Sequence, residues 1–161
     1  MDGEMTSEDL VRERLPETID RETFIPAYLG LVASAHTWGG SRIYSEKFGI
    51  TAPDFAIIST LSNYPGVQAS EITDIVGLDK SVVSRRLQRL AAKELVKADN
   101  SAGKRLLFLT RKGAEIHNKV LPVALDRSER MLTGFTEQEK HDVRNYLRRM
   151  FENIPRMNYM D

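Results

Sequence analysis

The sequence contains no cysteine, and this absence removes several classes of chemistry. Without a thiol the chain has no disulfide, no cysteine nucleophile and no thiolate ligand for zinc or an iron-sulfur cluster. Its three histidines are solitary, with no pair spaced four residues apart. A Gly-rich phosphate loop, a nucleophile elbow and an HExxH motif are also missing. We therefore predict that the protein is not an enzyme and holds neither a cofactor nor a metal.

Long hydrophobic runs are missing as well. No apolar run approaches the ~20 residues that cross a bilayer, and the acidic N-terminus lacks the apolar segment of a signal peptide. We therefore expect no membrane anchor and a cytoplasmic location. With 161 residues, 41% of them hydrophobic, the chain can form one domain, or two small closely packed ones, with a real core.

What the sequence does contain is an uneven distribution of charge. The chain has 23 basic and 23 acidic side chains, yet ten of the basic ones lie between Lys80 and Lys112, where only Glu94 and Asp99 are acidic. This basic window carries +8, and the rest of the chain carries −8. Such a window indicates a polyanionic partner, although a solvated helix face is the alternative for any single helix.

Apolar periodicity and end signals predict six helices and one hairpin. The first long helix runs from Thr23 to Phe48 and stops at Gly49, and Gly39-Gly40 within it indicates the close approach of another helix. Residues 1–22 precede it as an arm. The other predicted helices cover about 52–63, 69–76, 80–93, 111–132 and 137–154, the last one ended by Pro155, and the strands cover 95–99 and 105–109.

The order helix, tight turn, basic helix and basic hairpin is typical of a winged helix-turn-helix, which reads duplex DNA. An apolar stripe of Val83, Leu87 and Leu90 would anchor the basic helix on its scaffold. The opposite face would then lie at the major groove, where Arg and Gln bond base edges and Ser and Lys hold phosphates. The predicted DNA-binding residues are Lys80, Ser81, Ser84, Arg85, Arg86, Gln88, Arg89, Lys104 and Arg105.

The sequence resembles the MarR family of bacterial transcription regulators over roughly residues 25–154. Any one of the fragments that carry this resemblance is weak, but they stand in order at the expected separations. They are Gly49-Ile50-Thr51, Pro65-Gly66, Ser70-Glu71-Ile72, Leu78-Asp79-Lys80-Ser81-Val82-Val83-Ser84-Arg85, Leu87, Leu90, Leu95-Val96, and Leu109-Thr110 with Gly113.

The resemblance implies a sequence-specific DNA-binding regulator, a repressor, that acts as a homodimer on a pseudo-palindromic operator. The expected fold is mainly α with a small β-hairpin wing, a winged helix-turn-helix joined to a helical dimerisation domain. The dimerisation domain would comprise residues 23–50 and 111–161, and the winged domain residues 51–110. An apolar stripe on the last helix fits a dimer interface, with an intrachain core as the alternative for some of its members, which are Val143, Leu147, Met150, Phe151 and Ile154.

The wing departs from the family pattern. Where relatives usually carry an Asp and an Arg in the wing turn, this chain has Ser101 and Gly103. Minor-groove reading by the wing is therefore in question, and phosphate contacts by Lys104 and Arg105 are the expectation. The same departure leaves open a second reading, a winged-helix module that binds proteins instead of DNA.

Many relatives respond to small aromatic or phenolic acids bound between the dimerisation helices and the winged head. Aromatic walls and an Arg for the carboxylate are the side chains that such a site needs, although core packing or surface pairing is an alternative for each candidate. The candidates are His36, Trp38, Arg42, Tyr44, Asp54 and Phe55. Metal sensing is the competing reading, and the solitary histidines do not favour it.

Overall fold

Six helices and one hairpin follow one another in the computed structural model, which describes residues 10–101 and 103–158. The helices are α1 (Ile25–Phe48), α2 (Ala52–Asn63), α3 (Ala69–Val76), α4 (Lys80–Ala92), α5 (Arg111–Met131) and α6 (Glu137–Met157). The strands β1 (Val96–Asp99) and β2 (Leu106–Leu109) pair antiparallel, with Val96 opposite Leu109. The predicted class, mainly α with a hairpin wing, is confirmed. Residues 1–9 of the predicted arm and Ala102 of the predicted wing turn lie outside the described residues.

Local capping chemistry explains why the helices begin and end where they do. At the start of α2, Asp54 Oδ2 accepts bonds from the Thr51 backbone nitrogen (2.9 Å) and hydroxyl (2.8 Å). At the start of α6, Thr136 and Glu139 cap each other's backbone nitrogens, at 3.2 and 2.7 Å. Gly49 follows α1 with φ +69°, a left-handed conformation that favours glycine and turns the chain out of the helix.

The end of α6 differs from the prediction. Pro155 was expected to stop this helix, but α6 continues through it to Met157. A proline lacks the backbone N–H that would bond to the carbonyl four residues earlier, and so close to the end of the helix this loss affects a single bond. Asn158 N still bonds to Ile154 O at 3.1 Å, which closes the last turn around the proline.

The chain divides into two compact units, Met1–Gly39 and Gly40–Asp161. In the first, residues 10–24 form turns and bends, and the large apolar side chains of the described part are exposed. The buried core lies in the second unit, where α2, α3, α4, the hairpin and α5 meet. Its fully buried apolar members are Ile50, Ile57, Ile58, Leu61, Ile72, Val83, Leu90 and Val120. The division into arm, dimerisation domain and winged domain stays a prediction.

Two glycines permit close contacts between elements of the second unit. A Cβ on Gly40 would lie 3.3 Å from Ala52 Cβ, so the close helix approach predicted at Gly39-Gly40 is found at the second of these positions. A Cβ on Gly113 would lie 2.0 Å from the carbonyl oxygen of Leu95. Thr110, the N-cap of α5, donates its hydroxyl to Glu94 O at 2.6 Å and its backbone nitrogen to Leu95 O at 3.1 Å. The first turn of α5 is therefore pressed against the entry to the hairpin.

Candidate nucleic-acid interface

The basic helix α4 is fixed at its start and along one face. Asp79 is its N-cap, and Asp79 Oδ1 accepts a bond from Ser81 N at 2.7 Å. The side-chain and backbone hydrogen bonds of Ser81 lower the pKa of Asp79, so the cap stays ionised. Val83 and Leu90 on the inner face are completely buried. The opposite face is therefore turned outward on a rigid support.

The outward face of α4 carries most of the predicted DNA-binding residues. Ser81, Ser84, Arg85, Gln88 and Arg89 are all exposed. Lys80, Ser84 and Gln88 also line a concave groove of about 600 Å³. Arg105, where the wing turn leads into β2, lies in the lining of the same groove. The structure thus places one wing cation beside the basic helix, whereas the prediction placed it only in the wing.

The groove has a second wall that the sequence analysis missed. Gln68, Ser70 and Thr73, at the start of α3, line it opposite α4. The signal was present, because Ser70 and Thr73 are polar residues three apart on the side of α3 away from the buried Ile72. The Ser70 hydroxyl and the Gln68 amide are uncharged donors suited to phosphate oxygens, whereas the Thr73 hydroxyl donates to Ala69 O at 3.0 Å.

The wing turn is organised by its own residues. Asp99 Oδ1 accepts a bond from Ser101 N at 2.8 Å, and this bond lowers the pKa of Asp99. Gly103 N donates to Asn100 O at 3.2 Å, and Gly103 has φ +72°. Ser101 and Gly103 therefore build the turn itself, and the exposed cation at its end is Lys104.

Arg86 does not join the outward face, and its predicted role in DNA contact is at odds with its position. Its Nη1 donates to Asp54 Oδ1 at 3.0 Å and to Thr51 Oγ1 at 2.9 Å, and its side chain is only 26% exposed. Asp54 is itself 1% exposed. Burial raises the pKa of Asp54, but the bonds from Thr51 and Arg86 lower it by more, so the pair is ionic. The sequence carries no direct sign of this pairing, because Asp54 lies 32 residues away along the chain. A DNA contact by Arg86 stays a prediction.

Two further cations of the basic window are also bound within the protein. Lys93 Nζ donates to the carbonyl oxygen of Gly49, at the end of α1. Lys112 Nζ lies 3.1 Å from Glu94 Oε2 in an exposed pair. The other seven cations form no side-chain hydrogen bond or ion pair with the residues that the structure describes. They are Lys80, Arg85, Arg89, Lys97, Lys104, Arg105 and Arg111.

Two of the six predicted effector residues, Tyr44 and Phe55, are in contact with each other in the second unit. Tyr44 and Phe55 form an edge-to-face pair with centroids 5.7 Å apart, and Phe55 stacks on His117 at 5.8 Å. Asp54 is adjacent in sequence but is engaged with Arg86, which argues against a direct role in ligand binding. Arg42 is exposed, and His36 and Trp38 are exposed on the part of α1 that belongs to the first unit.

Two other kinds of site are absent from the part of the chain that the structure describes. Within residues 10–101 and 103–158, no three His, Asp or Glu side chains are grouped so that they could hold a metal ion. In the same part of the chain, no helix combines the length and apolar character needed to cross a membrane.

Three elements form a winged helix-turn-helix, which is typical of DNA-binding transcription regulators. They are α3, the basic helix α4 and the hairpin of β1 and β2. The sequence profile of the MarR family matches residues 48–106. An uncharacterized HTH-type transcriptional regulator, YybA of Bacillus subtilis (strain 168), is 23% identical over 119 residues, covering 72% of this chain and 79% of the relative.

Solved structures agree with this class. A MarR/EmrR family regulator from Acinetobacter sp. ADP1 is 27% identical, with a TM-score of 0.82 over 86% of this chain and 99% of its own. BpsR of Bordetella bronchiseptica, whose DNA binding is regulated by 6-hydroxynicotinic acid, has the same fold at 19% identity, with a TM-score of 0.69 over 84% of this chain and 99% of its own. The chain thus matches the MarR family over residues 48–106, and over most of its length it is similar to regulators of that family. The proteins that it resembles are named as transcriptional regulators.

Proposed function

We propose that the protein binds a specific pseudo-palindromic operator as a homodimer and represses transcription from it, working in the cytoplasm where that DNA lies. The observation that carries the proposal is the outward face of α4. This face presents exposed Arg85, Gln88 and Arg89, while buried Val83 and Leu90 hold the helix from behind. An α-helix fits the major groove of B-DNA, and forked Arg and Gln donors suit its base edges.

Within this interface the roles divide by chemistry and position. Arg85, Gln88 and Arg89 would read base edges. Lys80 and Ser81 stand at the N-terminal end of α4, where backbone N–H groups already favour an anion, so they would hold phosphate. Ser84 and Arg105 would contact phosphate from within the groove, and Lys104 from the wing.

The apolar face of α6 supports the homodimer. None of the α6 side chains is buried, and Leu147, Phe151 and Ile154 are exposed by 45%, 69% and 38%. The alternative, that these residues enter an intrachain core, is therefore not supported by the described residues. Large apolar side chains in one stripe on a helix gain stability when another surface covers them, and a second copy of the chain supplies such a surface symmetrically.

Two substitutions separate base reading from phosphate binding. We expect Arg85→Ala to reduce discrimination at one base pair by about 1–3 kcal/mol. Lys80→Ala should instead weaken all duplexes to a similar extent and reduce the steepness of the salt dependence by about 0.9. The measurement is fluorescence anisotropy with a duplex that the wild-type protein selects from a random pool, and with its single-base variants, at several salt concentrations.

The same titration tests the proposal as a whole. The wild-type protein should bind the selected duplex far more tightly than a scrambled duplex of equal composition, with two half-sites about one helical turn apart. Equal affinity for both duplexes at low salt would refute sequence-specific binding. An Arg85→Ala protein with unchanged base preference would remove Arg85 from the reading set.

A small aromatic or phenolic acid is the effector that we propose. The cluster of Tyr44, Phe55 and His117 places three aromatic rings where α1, α2 and α5 meet, with Tyr44 buried and Phe55 partly buried. The regulation of BpsR by 6-hydroxynicotinic acid also supports this chemistry.

Thermal denaturation tests the effector. A ligand that favours the folded state at 100 times its Kd stabilises it by about 2.7 kcal/mol. We therefore expect a salicylate-like or hydroxynicotinate-like acid to raise the Tm by roughly 5–10 °C. Benzamide analogues without the carboxylate serve as controls. A panel of aromatic acids that leaves the Tm unchanged would contradict this class of effector.

A further inference from the structure

Asp54 and Arg86 join the basic helix α4 to the start of α2 through an ion pair whose carboxylate is buried and whose guanidinium is partly exposed. Asp54 is the one fully buried charged side chain among the described residues. A single nitrogen, Arg86 Nη1, makes both bonds, to Asp54 Oδ1 and to Thr51 Oγ1. Arg86 Nε is buried and has no hydrogen-bond partner among the described residues. The position of the guanidinium therefore depends on these two acceptors.

A second link lies on the same side of α4. Lys93, seven residues after Arg86 and so two turns further along the same face, donates to the carbonyl oxygen of Gly49. Both links end in the short stretch Gly49–Asp54, which comprises the connection after α1 and the first turn of α2. The basic helix α4 is thus held at two points by the residues that follow α1, in addition to its buried apolar contacts at Val83 and Leu90.

We propose that Asp54 and Arg86 are positioning residues for DNA recognition: their ion pair sets the orientation in which α4 presents Arg85, Gln88 and Arg89 to the operator. This inference rests on the proposed function. Arg86 then acts through Asp54 and Thr51 and touches no DNA. Because one turn of α4 separates Arg85 from Arg89, a small rotation of the helix moves both off their base edges while the backbone phosphates remain in reach of mobile side chains.

The two partners carry opposite charges, and this permits a sharp test. Asp54→Asn removes a negative charge from the protein, whereas Arg86→Gln removes a positive one. If Arg86 contacted DNA, Arg86→Gln would weaken binding and Asp54→Asn would leave it unchanged or strengthen it. If the pair positions α4, both variants lose affinity for the operator despite their opposite charges.

The experiment measures the affinity of each full-length variant for the selected duplex and for its scrambled counterpart at several salt concentrations. We expect Asp54→Asn and Arg86→Gln each to lose about tenfold in operator affinity, with unchanged affinity for the scrambled duplex. The double variant should lose no more than either single variant, because all three remove the same pair. The salt dependence should keep its slope in all three, whereas Lys80→Gln, the matched loss of a phosphate contact, should reduce it by about 0.9.

Arg86→Lys keeps the charge and can restore one of the two bonds, so this variant should recover part of the lost affinity. Circular dichroism of each variant, at the temperature of the titration, shows which of them remain folded. A pair that only stabilises the fold would give lower Tm values with operator affinity unchanged in the folded proteins. That result, or a reduced salt slope in Arg86→Gln alone, would overturn the proposal.

Failure of the proposed function has a different signature. In that case the wild-type protein itself would not distinguish the selected duplex from the scrambled one. A loss of preference confined to the Asp54 and Arg86 variants concerns only the positioning pair.

Discussion

Replacing Gly113 with alanine is expected to lower the free energy of unfolding by about 3 kcal/mol or more. The added Cβ would lie 2.0 Å from Leu95 O and 3.0 Å from the carbonyl carbon of the same residue. Backbone atoms cannot rotate away as a flexible side chain can, so the first turn of α5 or the entry to β1 must shift. The Tm should fall by roughly 6–12 °C, as measured by circular dichroism or calorimetry at fixed protein concentration.

Lys112→Ala is the matched control, because it introduces the same residue one position earlier in the same helical turn. Lys112 is exposed, and its pair with Glu94 lies at the surface, where such pairs contribute little. Its Tm should change by only a degree or two. A Gly113→Ala protein as stable as Lys112→Ala would show that α5 and the hairpin do not meet as closely as the structure has them.

The second large effect is expected on the apolar face of α6. Introducing glutamate at both Leu147 and Phe151 would place two carboxylates in the proposed dimer interface, where unpaired charge is strongly unfavourable. We expect a folded monomer, detected by light scattering after size-exclusion chromatography. Operator affinity should fall at least 100-fold, since a monomer binds only one half-site and loses the gain from joining two.

Arg149→Glu is the control for this variant, because residue 149 lies on the opposite side of α6 from Leu147 and Phe151 and is exposed. It should remain dimeric, with a modest loss of DNA affinity from its altered charge. If the Leu147 and Phe151 double variant stays dimeric and binds the operator normally, α6 is not the dimer interface.

The boundaries of most elements could be predicted from the sequence because they depend on local chemistry. Thr51 with Asp54, Thr136 with Glu139, and Gly49 each act within a few residues of the chain, so their side chains carry the information themselves. Pro155 was misread for the same reason: the local rule holds inside a helix, and this proline stands in the last turn.

The candidate site was less predictable where it depends on residues that are distant in sequence. Helical periodicity placed Arg86 beside the outward face of α4. Periodicity gives the angle of a residue around its own helix, but it does not show which residues of a neighbouring helix it contacts. The acceptors that draw Arg86 inward belong to α2 and its N-cap. The positions of Lys93 and Arg105 also depend on distant residues. Lys93 donates to the carbonyl oxygen of Gly49, and Arg105 lines the groove beside α4. Asp54 is the one charged residue of α2, and a buried acid usually pairs with a cation. This was the sequence feature that could have indicated a partner such as Arg86.

The close contact between Gly113 and Leu95 also means that a movement of α5 moves the base of the hairpin with it. The helix has 21 residues and is therefore about 30 Å long, and its first turn is joined to the base of the hairpin without a flexible spacer. A tilt of about 10° around the far end of α5 would carry the hairpin base through roughly 5 Å. That displacement exceeds the rise of one base pair along B-DNA. In the proposed homodimer, a small tilt of α5 would therefore change the distance between the two heads and their fit to the two half-sites.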